Sequence, residues 1–208
     1  MYSAGGAYAG TENQQICLSY AYGDGKKSSC ENTVNSVQRL FYNIPINTYF
    51  SLDLDGIAAL NDSVGGVDVV SPETIGDFVE GQSYHLVGQQ AESFVRTRDT
   101  SKADSNNMRM QRQKVYIQSF MNTVLQQTKK DLTTPLDLFN ASAPYSCTNL
   151  NPSKVTYLAQ QAVLGGMSGI DMMSVPGQIK MGKKYAEFNV SEAEFYQMFL
   201  NVYYTKIE

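Results

Sequence analysis

At 208 residues, 42% hydrophobic and 17% charged, the chain has enough apolar material for a substantial core and reads as one domain over residues 1–208. A net charge of −4 is the wrong sign for a general nucleic-acid binder, which carries a basic excess. No apolar run approaches the ~20 residues that span a bilayer, and the first residues lack the basic-then-apolar layout of a signal peptide, so the chain reads as soluble.

Tyr22-Gly-Asp-Gly-Lys26 lacks the full spacing of a nucleotide-binding loop and is predicted to be a turn. A helix is predicted over Asn32 to Phe41, with Val34, Val37, Leu40 and Phe41 inward. Thr48 to Leu54 alternates as a strand does, and Asp55-Gly56 leads into a short helix through Ile57 and Leu60. Gly65-Gly66 closes that helix before a strand at Val67 to Val70. Asp53 and Asp55, at the junction, read as capping and turn residues rather than as paired catalytic carboxylates.

The stretch from Phe94 to Phe120 concentrates arginines: Arg96, Arg98, Arg109 and Arg112. If the chain after Phe94 is extended, a spacing of two places Arg96 and Arg98 on one face. From Asn107 to Gln127 the pattern is helical, with Tyr116, Phe120 and Val124 facing the core and Ile117 and Met121 widening the stripe. Arg109 and Gln113 continue that stripe towards the helix N-terminus, whereas Arg112 reads as a rim charge. Guanidinium groups are planar, permanently charged and bidentate, and free N–H groups at a helix start attract anions, so the cluster suits a diphosphate. On spacing alone a structural salt-bridge network with Asp99 and Asp104 is the commoner reading of such a cluster.

Thr134-Pro135 and Asn151-Pro152 mark helix starts, and Gly165-Gly166 closes the second helix. Strands are predicted at Met172 to Val175 and Phe188 to Val190. Between them, Gly177 to Lys184 is predicted to be a solvated basic loop carrying Lys180, Lys183 and Lys184. Ser191-Glu-Ala-Glu194 has capping-box spacing ahead of a final amphipathic helix. Cys17, Cys30 and Cys147 lack metal-ligand spacing and His85 is the only histidine, which argues against a zinc or redox site. The cysteines read as buried inert thiols, with a Cys17–Cys30 bridge left open for an oxidising compartment.

Three ordered runs carry a resemblance. Asp53 to Val69 fits DxxGxxxLxxxxGGVxV, Leu86 to Arg98 fits LxGxQAxxxVRxR, and Arg109 to Gln113 fits RxxRQ. In this the chain resembles the LytR-CpsA-Psr family, and the similarity extends upstream through Leu18 to Asp24 and more loosely downstream through Ala143 to Gln160. The chain resembles the later two-thirds or so of the family's catalytic domain. The opening segment, with its acidic magnesium ligands and a further arginine, has no counterpart in it.

The resemblance implies an α/β fold, a layered α-β-α sandwich with a mixed central sheet, N-terminally truncated. Its long apolar groove would take a polyprenyl chain, with Val34, Phe41, Phe94, Tyr116, Phe120 and Leu125 as candidate lining. It implies a phosphotransferase that moves a glycan phosphate, of teichoic acid or capsular polysaccharide type, from a polyprenyl-pyrophosphate carrier to peptidoglycan with Mg2+. The implied partners are that lipid-linked glycan, the peptidoglycan acceptor and a membrane surface, but no nucleic acid. The implied location is the extracellular face of the cytoplasmic membrane, with the anchor outside this chain. Carried over by position, the catalytic residues are Arg96, Arg98, Arg109 and Gln113. Cys17 and Asn106 stand where many members have, respectively, Asn or Thr, and Asp. Without the acidic ligands this chain alone is expected to be inactive, and the alternative is a non-catalytic polyprenyl-phosphate or anionic-glycan binding fragment. A regulatory role ranks last, because no DNA-reading motif is visible.

Overall fold

A computed structural model describes residues 16, 18–101, 105–170, 172–181 and 186–205. In chain order the elements are α1 (Leu18–Ala21), α2 (Lys27–Leu40), β1 (Phe50–Leu52), α3 (Gly56–Ser63), β2 (Val67–Val70), β3 (Ser83–Leu86), α4 (Gln89–Arg96), α5 (Ser105–Lys130), α6 (Thr134–Ser142), β4 (Ser146–Thr148) and α7 (Pro152–Leu164). These lie in one compact unit, up to residue 171. A second unit, from Met172 onward, holds β5 (Gly177–Met181), β6 (Ala186–Val190) and α8 (Glu192–Tyr203).

The fold is of the α/β class. Among the described residues the strands pair two by two and antiparallel, as β1–β4, β2–β3 and β5–β6. In β2 the valines alternate, with Val67 and Val69 buried and Asp68 and Val70 exposed, as expected of a strand with one face on the core. Val64, Val67, Val69, Phe78, Leu86, Ala91, Phe94, Val95 and Tyr116 form the core of the first unit. Within it the Phe78 ring meets those of Tyr84 and Phe94 edge-on, with centroids 5.2 and 5.0 Å apart.

Local chemistry sets the boundaries. Asp24 Oδ1 accepts the backbone N–H groups of Lys26 and Ser28 at 2.7 and 3.1 Å, so the glycine-bearing turn is an acidic lead-in that satisfies the start of α2. Those hydrogen bonds hold the Asp24 carboxyl below its ordinary range. α2 therefore begins earlier than the apolar pattern predicts, and β1 covers only the middle of the predicted strand. Asp55 occupies the N-cap position of α3 without a side-chain cap bond, and Asp53 and Asp55 are both exposed. Asn151 does cap α7, its side chain accepting the Lys154 N–H at 2.9 Å.

Three predictions are corrected. α4 continues through Arg96, so Phe94 to Arg96 is helical and the two-residue spacing to Arg98 is not strand spacing. Gly177 to Met181 is a strand rather than a loop, with Lys180 opposite Glu187 in the β5–β6 register. Met172 to Val175 forms no strand. Ser191 heads α8 without a side-chain cap bond, while its own N–H reaches the Pro176 carbonyl at 2.9 Å. Lys183 and Lys184 lie outside the described residues.

Gly66 ends the α3 turn at φ +92°, and a Cβ there would sit 2.4 Å from His85 Nε2 and 2.9 Å from the Leu86 carbonyl oxygen. Gly66→Ala is therefore expected to lower stability by about 1–3 kcal/mol. The measurement is a fall in the urea midpoint at unchanged slope.

Candidate functional site at the α4–α5 junction

The last carbonyls of a helix have no intrahelical donor. Those of α4 receive theirs from α5. Arg112 donates from Nη1 to the Phe94 carbonyl and from Nη2 to the Thr97 carbonyl just past the helix end. Gln113 Nε2 donates to the Val95 carbonyl at 3.1 Å. Arg112 Nε completes the clamp on Glu73 Oε1 at 2.7 Å. The Arg112 side chain is fully buried and that of Glu73 is 12% exposed, so Arg112 is no rim charge. The reason lies in helix geometry: a step of four residues turns only about 40°, which places Arg112 closer to the Tyr116 face than Gln113 at about 60°.

This clamp fixes the segment that carries the proposed anion ligands. Arg98 Nε donates to Ser105 Oγ at 3.0 Å, reaching the first residue of α5. Arg109 Nη2 donates to Asn106 Oδ1 at 2.9 Å, one residue further on. Arg98 and Arg109 thus both engage the opening turn of α5. Arg96 ends α4 and is held by Glu92 of the same helix at 2.7 Å, with its side chain 63% exposed. Arg109 Nε is buried and has no hydrogen-bond partner among the described residues. Of the two aspartates considered as partners, Asp99 accepts from the Ser101 N–H and hydroxyl at 3.1 and 2.5 Å, and Asp104 lies outside the described residues.

Beside Gln113 an apolar cavity of about 270 Å3 opens between β1, α3, α4 and α5. Leu52, Leu54, Ile57, Leu60, Val95, Ile117 and Phe120 supply its hydrocarbon walls, and Gln113 and Tyr116 its polar groups. Of the residues predicted to line a groove, Tyr116 and Phe120 do so. Phe94 and Leu125 are buried, and Val34 and Phe41 are half-buried away from this cavity. The Leu52–Leu54 and Ile57–Leu60 walls were missed, although they bracket the Asp53 to Gly56 motif.

One buried network holds Tyr116, a lining residue of the cavity, in place. Asn61 Nδ2 donates to the Leu86 carbonyl at 2.8 Å, and its Oδ1 accepts the Tyr116 hydroxyl at 3.2 Å. Burial, with the nearby Asp62 charge, pushes the Tyr116 phenol up, so it remains a neutral donor at physiological pH. A second cavity of about 290 Å3, lined by Gln178, Lys180, Asn189 and Glu194 among others, belongs to the second unit and holds none of the predicted site residues.

The described residues do not by themselves provide a site for the Mg2+ that the resemblance implies. Among the described residues no three His, Cys, Asp or Glu side chains come together as a metal site, and no chemical step is derived through a metal. No helix among them is long and apolar enough to cross a membrane.

Comparison with known proteins follows the same lines. A 118-residue alignment is 32% identical to an Enterococcus faecalis protein named polyisoprenyl-teichoic acid–peptidoglycan teichoic acid transferase TagU, covering 55% of this chain and 37% of that relative. The chain spans roughly a third of the length of the curated relatives it matches. The fold is shared with Bacillus subtilis TagU (TM-score 0.61, 20% identity, 93% of this chain and 78% of that one). It is also shared with a LytR-Csp2A-Psr enzyme from Actinomyces oris (TM-score 0.67, 19% identity, 95% and 76%). The LytR_cpsA_psr family model matches residues 4–202, and the chain belongs to that family.

Proposed function

We propose that the α4–α5 junction binds the diphosphate of a polyprenyl-diphosphate-linked glycan, and that the protein transfers the glycan phosphate to peptidoglycan. The reading is supported by an apolar cavity beside a helix mouth where Arg98 and Arg109 engage the first turn. The single observation that carries it is the buried Arg109 Nε, which has no hydrogen-bond partner among the described residues, since such a donor is costly unless an anion completes it.

The cavity is near the small end of ligand sites, which run from roughly 300 to 1,000 Å3, and so suits a segment of isoprenoid chain. Arg96, Arg98 and Arg109 neutralise charge on the diphosphate, while Gln113 orients it. An acceptor hydroxyl oxygen attacks the glycan-bearing phosphorus, the P–O–P bridge breaks, and polyprenyl phosphate leaves with the bonding electrons while the hydroxyl proton passes to solvent. Catalysis of such a step is mostly positioning and charge stabilisation. The protein would act at the outer face of the cytoplasmic membrane, where lipid carrier and wall acceptor meet. The names of the relatives, teichoic acid transferases, support the glycopolymer class.

The test incubates the protein, joined to the acidic opening segment of the family's domain, with Mg2+, a polyprenyl-diphosphate-linked glycan labelled in the sugar, and peptidoglycan; the 208 residues alone are expected to show little or no turnover. Label in the wall polymer through a phosphodiester, with release of polyprenyl phosphate, is the expected result. Binding of the labelled lipid without transfer would favour the non-catalytic alternative. Failure to bind would overturn both.

A further inference from the structure

We infer that Cys30 and Cys147 are the partners of a disulfide that staples α2 to the β1–β4 sheet. The inference rests on the placement of the two cysteines on elements that pack together, and is independent of the proposed transferase chemistry. Cys30 lies on α2 and is 3% exposed, Cys147 lies on β4 and is half-buried, and both are thiols in the structure. α2 packs against β4. There the Cys147 sulfur and the Ser51 hydroxyl are both close enough to act on the Cys30 thiol electrostatically. Ser51 is the residue opposite Cys147 in the β1–β4 register, so the three groups meet on one face of the sheet.

The two cysteines differ in readiness to react. Burial, followed by the adjacent Cys147 sulfur, pushes the Cys30 thiol up to about 11, which makes it a poor first nucleophile at neutral pH. Cys147, the more exposed of the two, attacks a low-molecular-weight disulfide and forms a mixed disulfide, releasing one thiol. Cys30 then loses its proton and attacks the Cys147 sulfur, expelling the second thiol. Two protein thiols are oxidised by two electrons and one small disulfide is reduced to two thiols.

The crosslink has a structural consequence beyond the sheet. The loop it closes contains α3, α4, α5 and α6, and Leu52, a cavity-wall residue, lies next to Ser51 on β1. A closed loop on the order of 100 residues removes much of the entropy of the unfolded chain.

The protein is held in buffers of oxidised or reduced glutathione, alkylated, digested without reduction, and mapped by mass spectrometry, with thermal melts in parallel. The expected result is a Cys30–Cys147 linked peptide and a Tm roughly 5–15 °C higher in the oxidised sample. Cys147→Ser, at the half-buried position, should abolish both, whereas Cys17→Ser should leave both intact. Recovery of a Cys17–Cys30 peptide, or full alkylation of Cys30 and Cys147 after oxidation, would overturn the inference.

Discussion

Replacing Arg112 by methionine is expected to cost about 3–5 kcal/mol of folding stability, the range for removing one member of a buried ion pair. The substitution keeps much of the volume and removes all three donors. Glu73, only 12% exposed, would then lack its counter-charge. The Phe94 and Thr97 carbonyls would lose donors at a helix end that has none of its own. Arg112→Lys keeps the charge but a single ammonium cannot span acceptors on Glu73, Phe94 and Thr97, so it should recover only a small part of the loss. For a chain of this size each 1 kcal/mol moves the melting midpoint by roughly 2–4 °C, so a fall of about 6–20 °C is the expected reading. A midpoint within about 2 °C of wild type would show that the clamp is not what holds α4 against α5.

The Arg112 clamp also shows where sequence reading stopped. α5 was legible because its apolar stripe runs for several turns, and the α3–β2 corner because paired glycines permit the positive φ values that end the helix there. α4 was not: Ala91, Phe94 and Val95 stand at the i, i+3, i+4 spacing of a helix face, but eight residues make only about two turns, and the two-residue spacing of Arg96 and Arg98 pointed to a strand. The burial of Arg112 was hidden because the stripe was continued through Gln113 and Arg109, which left Arg112 to one side, and because its partner, Glu73, is distant in sequence. The cavity wall formed by Leu52, Leu54, Ile57 and Leu60 depends on how β1 and α3 meet α5, a tertiary fact without a sequence period. The Cys30–Cys147 neighbourhood is likewise set by α2 packing on β4, while the sequence offered Cys17 as the nearer candidate.

The α4 correction changes how the arginines act together. On a strand, Arg96 and Arg98 would share a face and grip one ligand side by side. With α4 helical through Arg96, that residue is tied to Glu92 on the helix surface, while Arg98 crosses to Ser105. A diphosphate at the mouth of α5 would meet Arg98 and Arg109 first, and Arg96 would reach it only by releasing Glu92. The Glu92 side chain is only 13% exposed, so that exchange costs more than the about 0.3–0.5 kcal/mol of a fully exposed i,i+4 pair.

In the form that carries the family's acidic opening segment, Arg109→Ala is expected to reduce glycan-phosphate transfer by about 10²–10³-fold, the loss typical of removing one preorganised donor from a charge-stabilising site. Stability should behave oppositely to the Arg112 case. Arg109 Nε is buried without a hydrogen-bond partner among the described residues, so truncation relieves an unmet donor at the cost of the Asn106 hydrogen bond. The melting midpoint without ligand should therefore stay within a few degrees of wild type or rise. Inorganic pyrophosphate separates the two roles directly. A ligand that binds only the folded protein raises its midpoint in proportion to RT ln(1 + [L]/Kd), and the rise should be present in the wild type and absent in Arg109→Ala. Arg109→Lys should restore part of the pyrophosphate response, because the charge remains while the planar fork is lost. If Arg109→Ala melts like an Arg112 variant, or responds to pyrophosphate as the wild type does, then Arg109 is a structural residue and the anion must be held elsewhere.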